Sequence, residues 1–176
     1  MRHFYRLAED IVTLPIMNSI MRNGDLWNID KMRTTFNGTP HAQVSDIILR
    51  FGDIDGIDLE TSDRDAMKTI VGAKQMALSI MQLTGGSRLG RVIVSKLEPG
   101  KKILPHKDVV GDYSKYYTRY ALVLQGLPGS IFCIEDEAVN MVTGELWWTD
   151  VHSMHEIINN SKDDRVHMLV DVRIDP

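Results

Sequence analysis

Residues 117–174, YTRYALVLQGLPGSIFCIEDEAVNMVTGELWWTDVHSMHEIINNSKDDRVHMLVDVRI, read as short strands cut by turn residues. The strands are Tyr117–Leu124, Ser130–Glu135, Met141–Trp148, His155–Asn159 and Arg165–Ile174. The cuts fall at Gly126-Leu127-Pro128-Gly129, Thr143-Gly144 and Asn159–Asp164. Immediately upstream, Arg91–Leu97 (RVIVSKL) reads the same way and stops at Glu98-Pro99-Gly100. Strands at this cadence, without alternating helices, close into a sandwich or barrel. The expected class is mainly β (α+β), a jelly roll with helices from the N-terminal half packed outside.

Before Gly85-Gly86 the pattern is mixed. TPHAQVSDIILRF (39–51) predicts a strand through Val44–Phe51, and GDIDGIDLETSD (52–63) reads as an acidic, turn-rich loop. Ser62 or Asp63 would N-cap a helix carrying Met67, Ile70, Val71, Lys74, Ala77, Ile80 and Met81 at i, i+3, i+4 spacing, stopped by Gly85-Gly86. The organisation expected is one domain. Residues 1–88 form a helical and strand support, and 89–176 form the β core that carries the chemistry.

The chain has 176 residues, and 20 basic against 24 acidic side chains give a formal charge of −4. A chain of this size buries about 70% of its unfolded surface, enough for one core without staples. A pI near 5.8 and the lack of a basic block argue against nucleic-acid binding as the main function. The single cysteine, Cys133, excludes an internal disulfide framework and a Cys-rich zinc site. Charges at Arg2, Arg6, Glu9 and Asp10 interrupt any signal-peptide core, and no apolar run reaches membrane-span length. The expectation is a cytoplasmic protein without membrane contact.

Chemistry concentrates in the β half. In Pro105-His106-Lys107-Asp108, residues i and i+2 of an extended segment point the same way, so His106 and Asp108 offer an imidazole and a carboxylate to one ion. His155 opens another strand 47 residues after Asp108. Two histidines and one carboxylate form the facial triad of non-haem Fe(II) oxygenases, with three positions left open. Arg165 follows ten residues after His155, across the polar turn NNSKDD. A hairpin there sets it beside His155, where a guanidinium suits bidentate capture of a dicarboxylate.

From about Arg91 to Asp171 the chain resembles the aspartyl/asparaginyl β-hydroxylase family of Fe(II)- and 2-oxoglutarate-dependent dioxygenases. SKLEPGKKILPHKD (95–108), TRYALVL (118–124), GELWWTD (144–150), HEIINNS (155–161) and RVHMLVDV (165–172) carry the resemblance. It implies a double-stranded β-helix of cupin-like type, with His106, Asp108 and His155 as ligands to Fe(II). It implies further that Arg165 pairs with the distal carboxylate of 2-oxoglutarate, assisted by Ser95, and that Arg119 lies near its chelating end. Animal members carry a glycine where Asp108 stands and a histidine where this chain has Ala121. The implied reaction consumes O2, oxidatively decarboxylates 2-oxoglutarate to succinate, and hydroxylates an Asp or Asn side chain of a peptide, protein or small amino-acid derivative.

Other residues have plainer readings. His152 competes with His155 as a ligand or lies at the rim, and His167 shares a strand face with Arg165. His41, together with Arg50, would line a substrate pocket. Trp147 and Trp148 alternate faces, so that one is core and the other, Trp148, either borders the cleft or packs as core too. Glu135-Asp136-Glu137 and Asp163-Asp164 read as solvated turns, and Lys101, Lys102 and Lys107 as a basic cluster near the metal. The alternatives are the same chemistry on a nucleobase or secondary metabolite, a cupin-type metal protein that does not use 2-oxoglutarate, or a binding module that has kept the barrel.

Overall fold

In the computed structural model, which describes residues 2–57 and 59–174, eleven strands form two antiparallel sheets. Met1, Asp175, Pro176 and Asp58 of the acidic loop lie outside the described residues. In chain order the elements are β1 (Phe4–Ala8), α1 (Leu14–Arg22), a 3-10 turn (Gly24–Leu26), β2 (Val44–Phe51), β3 (Ser62–Asp63), α2 (Asp65–Thr69) and α3 (Ala73–Leu83). They continue with β4 (Arg88–Leu97), β5 (Lys102–His106), α4 (Tyr113–Tyr116), β6 (Tyr117–Gln125), β7 (Ser130–Ile134) and β8 (Glu137–Asn140). The chain ends with β9 (Leu146–Thr149), β10 (His155–Asn159) and β11 (Arg165–Arg173). The larger sheet runs β1-β9-β6-β11-β4-β2-β3 and the smaller β5-β10-β7-β8. This is the double-stranded β-helix expected. Among the described residues no helix is long and apolar enough to cross a membrane.

Strand parity sorts the two faces of the larger sheet. Val92 and Val94 on β4, Leu122 and Leu124 on β6, and Met168 and Val170 on β11 pack in the cluster that includes Ile16, Ile20, Met67, Ile70, Ala73 and Ile80 of the helical segments. The alternate positions bury Leu97 and Val123 with Ile103, Phe132, Ile134 and Ile157 of the smaller sheet. The same parity carries polar residues between the sheets: Arg91 and Ser95 on β4, Arg119 on β6, and Arg165, His167 and Asp171 on β11, most of them buried.

Four expectations need correction. The helix expected from Ser62 or Asp63 to Gly85 is two helices, because Gly72 adopts φ +84 and Ile70-Val71 turn out of the helix. Ser62-Asp63 do not cap it: they pair with β2 as a short strand, and Val71 is exposed. The strand expected over Met141–Trp148 is broken at Gly144 (φ +87), so that β8 stops at Asn140 and β9 begins at Leu146. There the buried Glu145 carboxylate accepts bonds from Val142 N and Trp147 Nε1 and pairs with Arg6.

The fourth is the hairpin expected after His155. β10 pairs with β5 and β7 in the smaller sheet and β11 with β4 and β6 in the larger, so Arg165 is not on a strand beside His155 but faces it from the other sheet. The turn that carries the chain from one sheet to the other is fastened by Asn159. Its side chain is fully buried, donates to the carbonyls of Leu97 (2.7 Å) and Asp163 (2.9 Å), and accepts from Ser161 N and Oγ. Asn159→Ala strands these four partners, and urea unfolding is expected to show a loss of about 2–4 kcal/mol. A loss below about 0.5 kcal/mol would contradict this role.

Candidate metal centre

His106 and His155 face each other across the β5–β10 ladder, with ring centroids 4.1 Å apart. Both rings are oriented in the same way. His106 Nδ1 lies 2.7 Å from the Leu104 carbonyl and His155 Nδ1 lies 3.0 Å from that of Ser153. A carbonyl can only accept, so each Nδ1 carries the hydrogen and each Nε2 is left as a lone pair. Burial pushes the His155 imidazole down to about 4, against the pull of Asp108, so it is neutral at ordinary pH.

Asp108 follows β5, where its N–H donates to the Val151 carbonyl. Its Oδ1 stands 3.3 Å from His106 Nε2, a buried nitrogen without a hydrogen bond of good geometry among the described residues. Two lone-pair donors facing each other at this separation call for a cation between them. Metal–ligand distances of about 2.0–2.2 Å place neighbouring ligand atoms about 3 Å apart. The donor set, imidazole and carboxylate, is that of Fe(II) and other divalent first-row ions. The residues therefore fit a metal of this kind. Burial alone would raise the Asp108 carboxyl, but Arg119, His106 and His155 hold it well below the usual carboxylate range.

A third histidine also reaches this point. His41, expected only as pocket lining, stands edge-on to His106 with centroids 4.8 Å apart. One donor atom from each of His41, His106 and Asp108 lies within 4.8 Å of the others, a tighter set than any that includes His155. Its Nε2, however, lies 3.3 Å from Arg33 Nη2, whose other arm is paired with Asp46 at 2.9 Å. An N–H of Arg33 occupies that lone pair, and burial and the Arg33 charge push the imidazole well below its usual range. A guanidinium at contact distance opposes a metal cation on the same ring. His41 lies 65 residues before His106, and no spacing in the sequence marks it.

Two cavities meet at this centre, and Arg33, His41, His106, Asp108, Arg119 and Val151 line both. The smaller runs between the sheets past His155, Ser95 and Phe132 to Arg165. Arg165 is only 3% exposed and has no carboxylate within ion-pair distance among the described residues. Its Nη2 donates to His167 Nδ1 at 2.9 Å, the ring lies opposite Ser95 in the ladder, and burial without a counter-charge lowers the guanidinium to about 9. The free volume here is about 30 Å³, room for a water or two, so side chains must shift to admit a dicarboxylate.

Arg119 lines both cavities beside Asp108. Asp171 holds its Nε and Nη2 at 2.7 and 3.0 Å, and Nη1 donates to Asp108. It clamps the Asp108 carboxylate. The larger cavity, of about 220 Å³, opens on the other side past Arg91, Tyr113 and Phe51, with Lys107 and exposed His152 at its mouth. Trp148 does not border it: the ring packs on the helical side and Nε1 donates to Thr118 Oγ1. Trp147 is in the core between the sheets. Arg50 is likewise turned away, bonded to Thr61 and Asp63.

A family model described as aspartyl/asparaginyl beta-hydroxylase matches residues 61–174, which include Ser95, His106, Asp108, Arg119, His155 and Arg165. L-proline cis-3-hydroxylase 2 from Streptomyces sp. is 29% identical over 76 residues, 42% of this chain and 26% of that protein, so the match spans about a quarter of that relative's length. Among solved structures, a prolyl hydroxylase from Trichoplax adhaerens superposes with TM-score 0.65 at 10% identity, covering 97% of this chain and 83% of that one. A 2OG-Fe(II) oxygenase family protein from Burkholderia pseudomallei gives 0.60 at 13% identity, covering 82% and 75%. A Pseudomonas putida prolyl-4-hydroxylase gives 0.57 at 16% identity, covering 99% and 94%. At these identities the structural likeness is one of fold.

Proposed function

Since the chain belongs to the aspartyl/asparaginyl β-hydroxylase family, we propose that it is an Fe(II)- and 2-oxoglutarate-dependent dioxygenase. In this reading it hydroxylates an unactivated C–H, on the β-carbon of an Asp or Asn side chain in a polypeptide or small amino-acid derivative. The observation that carries the reading is the smaller cavity. One wall offers lone pairs from His106, Asp108 and His155, and the far end holds Arg165, a buried cation with no acid at ion-pair distance among the described residues.

His106, Asp108 and His155 hold the iron, with each imidazole fixed as an Nε2 donor by the carbonyl behind it. Arg119 keeps Asp108 ionised and aimed while neutralising Asp171. Arg165 captures the distal carboxylate of 2-oxoglutarate and is steadied by His167, with Ser95 on the neighbouring strand. Bound together, the metal and co-substrate supply O2 activation coupled to decarboxylation of 2-oxoglutarate. Phe132 and Ile157 keep the inner end of the site dry. A cupin that dispenses with 2-oxoglutarate has no use for a buried, unpaired Arg165.

Proton NMR of the iron-loaded protein supplied with ascorbate, O2 and 2-oxoglutarate tests the activity. Succinate is expected, at a rate raised by a compound or peptide bearing an Asp or Asn side chain and with a β-hydroxylated product. Succinate raised only by other compounds would overturn the substrate, and no succinate with any of them would overturn the reading.

A further inference from the structure

The two cavities share a wall, and each contains one arginine without an acid at ion-pair distance among the described residues. In the smaller it is Arg165. In the larger it is Arg91, on the interior-facing parity of β4. The other arginines of the larger cavity have carboxylates of their own, Asp46 for Arg33 and Asp108 with Asp171 for Arg119. Arg91 has no carboxylate within ion-pair distance among the described residues, although it is only 7% exposed. Asp171 attracts it through space, but that carboxylate is committed to Arg119 and to the Tyr113 hydroxyl at 3.2 Å.

The side chain is also held still. Its guanidinium lies 4.5 Å from the centre of the Phe51 ring and 4.3 Å from that of Tyr113. Nη2 donates to the Asp53 carbonyl at 2.7 Å, while the Arg91 backbone N–H donates to Tyr113 Oη, also at 2.7 Å. Gly90 makes the sandwich possible, since a Cβ there would stand 2.4 Å from Tyr113 Oη. Nε is buried without a partner and Nη1 has no hydrogen bond among the described residues. A guanidinium fixed between two aromatic faces loses little freedom when it binds an anion, and its fork matches a carboxylate. Burial lowers its pKa, a cost that a bound anion would relieve.

We infer that Arg91 is the anion-reading residue of the larger cavity, and that the molecule acted on there carries a carboxylate which pairs with Arg91. Phe36, Ile54 and Val110 line the space beside it and suit an apolar body. Lys107 at the mouth adds positive charge that draws an anion in. The inference rests on the reading of the neighbouring centre as the place where that molecule reacts. It makes the substrate class an acid, with the anion held on the side of the metal away from the co-substrate.

The test is calorimetric titration of the protein as purified, with no metal or 2-oxoglutarate added. The probes are cyclopentanecarboxylate and cyclopentanecarboxamide, which match in shape and differ in charge. The acid is expected to bind about tenfold or more tightly than the amide. R91Q should abolish that preference and R165M should leave it intact. Equal binding of acid and amide, no binding of the acid, a preference that survives in R91Q, or one lost in R165M would each overturn the inference. If R91Q fails to fold, R91K, which keeps the charge but not the planar fork, must weaken the preference; an unchanged ratio overturns it. Because the titration contains neither iron nor 2-oxoglutarate, its failure leaves the dioxygenase reading standing, and a failure to bind iron leaves the titration's result unaffected.

Discussion

Arg165→Met weakens 2-oxoglutarate binding by about a hundredfold to several thousandfold and leaves the unliganded protein as stable as before, or more so. The two halves of this result have one cause. In the unliganded fold the guanidinium is buried beside Phe132 and His167 with no acid in reach, and its depressed pKa shows the cost of keeping it charged. Methionine fills a similar volume without that cost, as when other buried charges are replaced by apolar residues. When the dicarboxylate enters, wild type gains a charge-assisted pair in a dry site, whereas the variant strands a carboxylate there. Calorimetry in the presence of a divalent ion measures the affinity, and urea unfolding measures the stability. An unchanged affinity would remove Arg165 from the co-substrate site. A large loss of stability would mean that the arginine serves the fold instead.

The second large effect separates the two histidines beside His106. His155→Ala is expected to weaken Fe(II) binding by more than the roughly 10–100-fold that follows loss of an outer-shell partner. His41→Ala is expected to stay within about tenfold of wild type, because its Nε2 accepts from Arg33, which leaves the hydrogen on the buried, unpartnered Nδ1 and no lone pair for a metal. Distance alone favours His41, whose donor atom lies in the compact set with His106 and Asp108. Chemistry favours His155, which has its Nδ1 on a backbone carbonyl as His106 does and no guanidinium beside it. Anaerobic equilibrium dialysis of both variants decides the matter. The reverse ranking would make His41 the third ligand and leave His155 as packing.

The sequence carried these features unevenly, for physical reasons. Strands of the larger sheet that are buried on both faces, such as β4, β6 and β11, carry short apolar runs (Val92–Val94, Ala121–Leu124, Met168–Val170) between turn residues and were legible. The edge strands were not. β1 is mostly exposed and reads FYRLA, while β5 contains Pro105, which the edge of the smaller sheet tolerates because no neighbour needs its missing N–H. The helix α1 is short and begins at Leu14-Pro15, with no side chain capping it. Of the centre, His106 with Asp108 shows as a local pair, whereas the turn after Asn159 reads as a hairpin and is a crossover between the sheets, so Arg165 meets His155 across the smaller cavity. What stayed hidden depends on three-dimensional pairing. Nothing in the spacing links Arg33 to His41 and Asp46, or Arg119 to Asp171 across neighbouring strands. Arg91 looks like any charged residue at a strand start until Phe51 and Tyr113 are seen to enclose it.

The assignment of iron and 2-oxoglutarate to this centre is tested by an anaerobic titration of the metal-free protein, first with Fe(II) and then with 2-oxoglutarate, followed in the visible spectrum. A weak charge-transfer band is expected when both are present, absent in His106→Ala and requiring far more 2-oxoglutarate in Arg165→Met. Iron binding without a band at any co-substrate concentration would contradict that assignment and point to a cupin-type centre that uses no 2-oxoglutarate.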